Sequence, residues 1–195
     1  MGSIHEPPLS KLALSLAKQS GLRYFVETGT YLGYSLPWAS THFQRVFTIE
    51  VRDDFHTIAC RQCGHLTNVE FLLGNSASKL KEVCNQLDDA ALFWLDAHAG
   101  AGYFGETDCC PLLEELKTII AKPQEHVIFI DDARAFLAPP PPPFDYLAWP
   151  SLDEIMGVLA QKNLYVTIIG DTIIATPRSL REIVAHYCFD VRPTI

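Results

Sequence analysis

The stretch that decides the fold is Arg23–Ser35, RYFVETGTYLGYS. Tyr24-Phe25-Val26 is short, apolar and β-prone, the composition of a buried strand. Glu27 breaks the run, and Gly29 and Gly33 follow in a tight loop containing Thr and Ser. Tyr34 to Phe43 then suits a helix. Strand, glycine loop and helix in this order form a cradle for a nucleotide-like ligand in α/β proteins. Gly lets the backbone approach the ligand closely, and the helix N-terminus presents unpaired N–H groups.

Working outward, the flanking sequence repeats the same alternation. Ser10 to Ser20 carries Leu12 and Leu16 at helical spacing, with Gly21 as a stop. Arg45 to Val51 is a second strand that carries Glu50 near its end, and a helix from Asp53-Asp54 to Cys63 is closed by Gly64. Val69 to Leu73 is a third strand, and Ser76 or Ser78 caps a helix reaching Leu87. Ala91 to Leu95 is a fourth strand ending in Asp96-Ala97-His98, and a glycine-rich loop spans Ala99 to Asp108. Pro111 to Lys122 is a helix with Pro in its first turn. Val127 to Ile130 is a fifth strand, ending in Asp131-Asp132. Residues 133–150 are a proline-rich loop insertion in which Pro139 to Pro143 favour an extended polyproline segment. Ser151 and Glu154 form a capping box for a helix to Lys162. Tyr165–Ile169 and Thr172–Thr176 read as a hairpin turning at Gly170-Asp171, and a last helix covers Ser179 to Tyr187.

The expectation is one α/β domain over residues 1–195, with an N-terminal helix within 1–22. Its sheet is Rossmann-like, doubly wound and mostly parallel, with helices on both faces and an antiparallel C-terminal hairpin. At 195 residues and 48% hydrophobic content the chain can bury a sizeable core. Its net charge of −8, from 15 basic and 23 acidic residues, argues against nucleic acid or an anionic membrane as partner. No apolar run approaches the roughly 20 residues of a membrane span, and MGSIHEPPLSK lacks the pattern of a signal peptide, so a cytoplasmic protein is expected. Cys60 and Cys63 make a CxxC with no second CxxC to complete a zinc site, so the six cysteines are read as reduced.

Polar residues gather where the strands end. Glu27, Glu50, Asn75, Asp96 and Asp131-Asp132 close successive strands, and in an open parallel sheet those ends share the ligand-binding rim. Glu50, about 20 residues past the glycine loop, suits a ribose diol, and Asn75-Ser76 can approach an adenine. Asp96, Asp131 and Asp132 would repel one another, and a hard divalent cation such as Mg2+ relieves that repulsion. His98 lies beside such a metal and can take a proton from a substrate hydroxyl.

On these residues the chain resembles the class I S-adenosylmethionine-dependent methyltransferases, over roughly Tyr24 to Thr176. ETGTYLG (Glu27 to Gly33) looks like that family's first motif, and Glu50 matches its ribose-binding position. LDAH (Leu95 to His98) and IDDAR (Ile130 to Arg134) are most similar to the metal-dependent sugar O-methyltransferases of macrolide and aminocoumarin biosynthesis. The resemblance implies S-adenosylmethionine held by Glu27, Gly29, Thr30, Tyr31, Gly33, Ser35, Glu50, Asn75, Ser76 and Asp96. It implies Mg2+ on Asp96, Asp131 and Asp132, with Asp96 and His98 catalytic. His98 stands where some members carry an Asp base. The acceptor would be a small molecule bearing a sugar or other vicinal hydroxyl. Phe136, Phe144, Tyr146 and Trp149, with the loop Ala99 to Asp108, are candidates for its pocket. A homodimer is compatible with this reading. The rival classes are a nicotinamide oxidoreductase, whose GxGxxG spacing is absent, a metal-dependent hydrolase or transferase that leaves Glu50 idle, and a non-catalytic cofactor-binding protein on the same fold.

Overall fold

A computed structural model describes residues 3–98, 110–138 and 149–190. The short apolar runs become strands β1 (Tyr24–Thr28), β2 (Arg45–Glu50), β3 (Val69–Leu73), β4 (Ala91–Leu95), β5 (Val127–Ile130), β6 (Leu164–Ile169) and β7 (Thr172–Pro177). Between and around them lie helices α1 (Leu9–Ser20), α2 (Leu36–His42), α3 (Asp53–Cys63), α4 (Ser76–Cys84), α5 (Leu112–Ile120), α6 (Arg134–Leu137), α7 (Leu152–Leu159) and α8 (Arg181–Asp190). Among the described residues the strands form one seven-stranded sheet in the order β3-β2-β1-β4-β5-β7-β6. The pairs β1–β2, β1–β4, β2–β3 and β4–β5 are parallel, and β7 runs antiparallel to both β5 and β6. The strand order therefore reverses between β1 and β4, which puts the ligand-binding crevice at the ends of those two strands.

Alternating side chains divide the core into two layers. One face of the sheet, with Val26, Phe47, Phe93, Ile128 and Ile173, packs on Leu80, Val83, Leu116, Ile119 and Ile155. The other, with Phe25, Val46, Leu92, Phe129 and Ile174, packs on Leu12, Leu16, Leu36, Ala39 and Val184. Phe25, Phe47, Phe93 and Phe129 are fully buried, and each such side chain stabilises the fold by about 1.5–3 kcal/mol. Helix ends follow local chemistry. Gly21 closes α1 at φ +63°, and Ser151 and Glu154 form the expected capping box of α7. No helix among the described residues is long and apolar enough to cross a membrane.

Three local expectations change. The cap of α4 is Asn75, whose side chain accepts from the Ala77 N–H at 2.9 Å, and the helix ends at Cys84 rather than Leu87. An Asn carbonyl ahead of the first turn reaches the free N–H groups, whereas Ser76 already sits inside the helix. The loop insertion opens with a short helix, α6. The last helix divides into a 3-10 turn, Arg178–Leu180, and α8. The polyproline segment Pro139–Pro143, Phe144, Tyr146 and residues 99–109 lie outside the described residues.

Candidate functional site

The first half of the site is built by β1 and β2. The parallel register sets Glu27 beside Thr48. Glu27 is only 2% exposed. It accepts hydrogen bonds from the Ser35 and Thr48 hydroxyls, the second at 2.8 Å. Thr48 also bonds the Thr30 hydroxyl at 2.6 Å. Burial pushes the Glu27 carboxyl up to about 7, against the lowering effect of the two hydroxyls. Serine 35 and threonine 30 thus belong to a polar plug beneath the loop, with Thr48, a residue whose role the sequence did not signal.

Glu50 turns its carboxylate to the loop itself. Its Oε2 accepts from the Tyr31 N–H at 2.8 Å and its Oε1 from the Arg52 N–H at 2.9 Å. Tyr31 is held at φ +50°, a conformation that costs a non-glycine residue roughly 1–2 kcal/mol. Each Glu50 oxygen keeps a second lone pair, so the carboxylate can still accept from a diol. Tyr31 packs edge-on against Phe55 at 4.7 Å and near Tyr34 at 6.2 Å, which gives the crevice an aromatic border.

Gly29 joins this half to the second. Its N–H donates to the Ile49 carbonyl at 2.9 Å, and its φ is +86°. A Cβ there would lie 2.2 Å from the Asp96 carbonyl oxygen. Only glycine allows the loop after β1 to press on the backbone after β4. Gly33, at φ +79°, makes the second turn of the loop against Leu36 and Cys63.

The second half hangs from β4 and β5. Asp96 N–H continues the ladder to the Thr28 carbonyl at 3.0 Å, and Asp131 N–H to the Leu95 carbonyl at 3.1 Å. His98 Nε2 lies 3.1 Å from Asp132 Oδ2 and 3.8 Å from Asp96 Oδ1. The His98 side chain is 5% exposed and that of Asp96 37%, so the imidazole forms the floor and the carboxylate faces the opening. Phe136 and Trp149 flank the imidazole edge-on, at 5.8 and 5.3 Å between ring centres. Asp132 Oδ1 accepts from the Arg134 guanidinium at 2.7 Å, and Arg134 is in turn ion-paired to Asp171 at the β6–β7 turn. Asp132 sits at φ +51°, backbone strain of the kind that collects at functional sites.

Charge follows from this geometry. Burial pulls the His98 pKa down, but the hydrogen bond to Asp132 and the neighbouring carboxylates outweigh it, and the net shift is upward. The His98 hydrogen bond holds Asp132 below the usual range. Desolvation raises Asp96 well above it, and raises Asp131 to about 6.

The residues implied by the sequence are therefore brought together, with one exchange. Among the described residues the donor atoms that lie within 4.8 Å of one another belong to Asp96, His98 and Asp132. Asp131 does not join this group and keeps its Oδ1 buried without a hydrogen-bond partner. Of the three aspartates expected to hold Mg2+, Asp96 and Asp132 lie in this group. The donors present, two carboxylates and an imidazole, suit a divalent cation less hard than Mg2+. Asn75 and Ser76 stand at the β3 end of the rim as cap and first residue of α4. Arg134 and Asp171 are additions to the expected site. IDDAR signalled the first, whereas Asp171 reads from sequence only as a turn residue.

No family model and no curated protein matches the chain. Its fold matches many solved structures. The O-methyltransferase TomG from Streptomyces achromogenes, involved in tomaymycin synthesis and solved with S-adenosylmethionine, is 19% identical with a TM-score of 0.64, covering 88% of this chain and 81% of that one. The O-methyltransferase from Bacillus cereus, solved with S-adenosylhomocysteine, is 18% identical with a TM-score of 0.61, covering 89% and 82%. The S-adenosylhomocysteine-bound methyltransferase PaMTH1 from Podospora anserina is 17% identical with a TM-score of 0.60, covering 91% and 79%. The chain has the fold of the class I S-adenosylmethionine-dependent methyltransferases.

Proposed function

We propose that this protein transfers a methyl group from S-adenosylmethionine to a hydroxyl of a small molecule, with a divalent cation at the reacting end of the crevice. One observation carries the reading. Gly29 presses the loop after β1, which Glu50 holds through the Tyr31 N–H, directly onto the Asp96 backbone, so a ligand lying on the loop reaches the Asp96–His98–Asp132 cluster. The similar solved structures, which hold S-adenosylmethionine or its demethylated product, support the choice of cofactor.

In this reading Glu50 accepts from the ribose hydroxyls, and the backbone of Gly29 to Gly33 borders the rest of the cofactor. Glu27, Thr30 and Ser35 keep the loop in shape from below. Asn75 and Ser76 close the adenine end. Asp96 and Asp132 hold the cation, which would lower the pKa of the acceptor hydroxyl. His98 orients the acceptor end and can take up its proton. Alignment of the hydroxyl oxygen with the sulfonium methyl supplies much of the acceleration. Trp149 and Phe136 border the acceptor pocket, and the acceptor expected is a sugar or another molecule with neighbouring oxygens.

Calorimetry tests the cofactor assignment. S-adenosylmethionine and S-adenosylhomocysteine should bind and NADH should not; the reverse would reject the reading. Turnover against a panel of hydroxylated acceptors tests the reaction. His98→Ala should lower kcat on the order of 100-fold or more while cofactor affinity stays within a few-fold. An unchanged rate would remove His98 from the chemistry.

A further inference from the structure

We propose that the Asp96–His98–Asp132 cluster selects a first-row transition cation such as Mn2+, Fe2+ or Co2+ over Mg2+, with His98 Nε2 as a ligand. This rests on the reading of that rim as the metal-bearing half of a methyltransferase site, and it replaces the proton-accepting role given to His98 there with ligation of the ion.

The donor set is the first argument. Mg2+ dehydrates reluctantly and favours oxygen ligands, whereas an imidazole nitrogen suits later divalent metals. One buried nitrogen facing two carboxylates is a mixed set, and the atoms are close to ligand spacing. Two neighbouring ligands on an octahedral ion with bonds of about 2.1 Å lie roughly 3 Å apart. His98 Nε2 lies 3.1 Å from Asp132 Oδ2 and 3.8 Å from Asp96 Oδ1.

The second argument is orientation. Phe136 and Trp149 fix the plane of the His98 ring. Arg134 occupies Asp132 Oδ1 and is itself anchored by Asp171. Asp132 is thereby left with Oδ2 turned towards His98. Groups that fix the direction of a ligand in this way are the usual outer layer of a metal site. Three protein donors would leave such an ion room for oxygens of an acceptor.

A third observation is independent of the cluster. Asp131 Oδ1, at the same strand end, is buried and has no hydrogen-bond partner. A buried carboxylate oxygen without a donor is costly unless positive charge lies nearby. Among the described residues the basic side chains beside these carboxylates are His98 and Arg134, and a divalent ion at the cluster would offset the excess negative charge.

The experiment is a metal titration of the full chain, without acceptor, by Mn2+ electron paramagnetic resonance and by calorimetry with Mn2+ and Mg2+. Wild type should bind Mn2+ at least on the order of tenfold more tightly than Mg2+. His98→Ala should lose that preference through weaker Mn2+ binding, and His98→Asp should restore Mg2+ binding while Mn2+ keeps no advantage. S-adenosylhomocysteine binding and thermal unfolding of each variant report whether it is folded. Equal affinity for the two ions, no binding of either, or Mn2+ affinity unchanged in His98→Ala would overturn the proposal. If the ion preference holds but S-adenosylhomocysteine does not bind wild type, the methyltransferase reading falls and the metal assignment stands. If S-adenosylhomocysteine binds and the preference is absent, the reverse is true.

Discussion

The two halves of the crevice both present carboxylates at strand ends, yet they satisfy them in opposite ways. On the β1–β2 side, Glu27 and Glu50 receive neutral donors: the hydroxyls of Ser35 and Thr48, and the N–H groups of Tyr31 and Arg52. On the β4–β5 side, Asp96 and Asp132 share His98, Asp132 also takes Arg134, and Asp131 keeps an oxygen with no donor. Neutral donors shape a loop without cancelling the negative charge, which suits a ligand that brings hydroxyls and a positive sulfonium. The second side is rich in carboxylates and is organised around the His98 imidazole, which suits an incoming cation. The first half satisfies its carboxylates with its own donors, whereas the second leaves Asp131 Oδ1 without one.

The largest effect is expected from separating the two halves. Gly29→Ala puts a Cβ at 2.2 Å from the Asp96 carbonyl, in a backbone conformation that alanine rarely adopts. The variant should lose on the order of 4 kcal/mol of stability and bind neither S-adenosylhomocysteine nor metal as wild type does. Denaturant unfolding measures the loss. Wild-type stability would mean that the two loops can part freely, and that the halves are not joined through this contact.

The next largest effect belongs to Glu27. Its carboxyl is raised from 4.5 to about 7 by burial, so the folded state favours the protonated form. Stability from this group is full below the unfolded value and is lost as pH rises through the folded one. The loss between about pH 4.5 and 8 should approach about 3 kcal/mol. Glu27→Gln should remove it, so the difference between the two proteins should grow with pH in favour of the variant. A difference that does not change with pH would show that the plug beneath the loop carries its charge without cost.

Much of this contrast was legible in the sequence and its detail was not. The strand-end carboxylates could be found because each follows a continuous apolar run, VIFI before Asp131 or ALFWL before Asp96, and buried parallel strands leave no other pattern. The fold followed from the same runs and from the hairpin at Gly170-Asp171. Directions were hidden. Asp131 and Asp132 are adjacent, and spacing alone does not say which faces the cluster; the φ of +51° at Asp132 does. His98 joins the cluster because two aromatics hold its ring there, and one of them, Phe136, lies on a four-residue helix too short to leave a periodic signal. Asn75 displaced Ser76 as cap because either residue suits that role by type, and only the backbone at the N-terminus of α4 decides between them.

Glu50 tests the cofactor side of the crevice alone. Removing its carboxylate in Glu50→Ala takes one acceptor from each of the Tyr31 and Arg52 N–H groups and loosens the left-handed turn at Tyr31. A stability loss of about 2 kcal/mol is expected, with S-adenosylhomocysteine affinity weaker on the order of 100-fold. Affinity for Mn2+ should stay within a few-fold of wild type, because the cluster does not touch Glu50. A large fall in metal affinity would mean that the halves act as one site.

Asp171→Ala makes the smallest change and asks the converse question. Asp171 touches neither the crevice floor nor the loop; it holds Arg134, which holds Asp132 Oδ1. As both ion-pair partners of Arg134 are partly exposed, the stability cost should stay near about 1 kcal/mol. The informative readout is metal binding. With the brace gone, Arg134 is free to follow either oxygen of Asp132, so Oδ2 is no longer reserved for the cluster. Mn2+ affinity should fall by roughly 10-fold, while S-adenosylhomocysteine affinity does not change. Asp171→Asn, which keeps the size and one acceptor oxygen for the guanidinium, should recover part of the loss. A merely structural turn residue would lower thermal stability in both variants and leave metal affinity where it was, and the second half would then be organised by His98 alone.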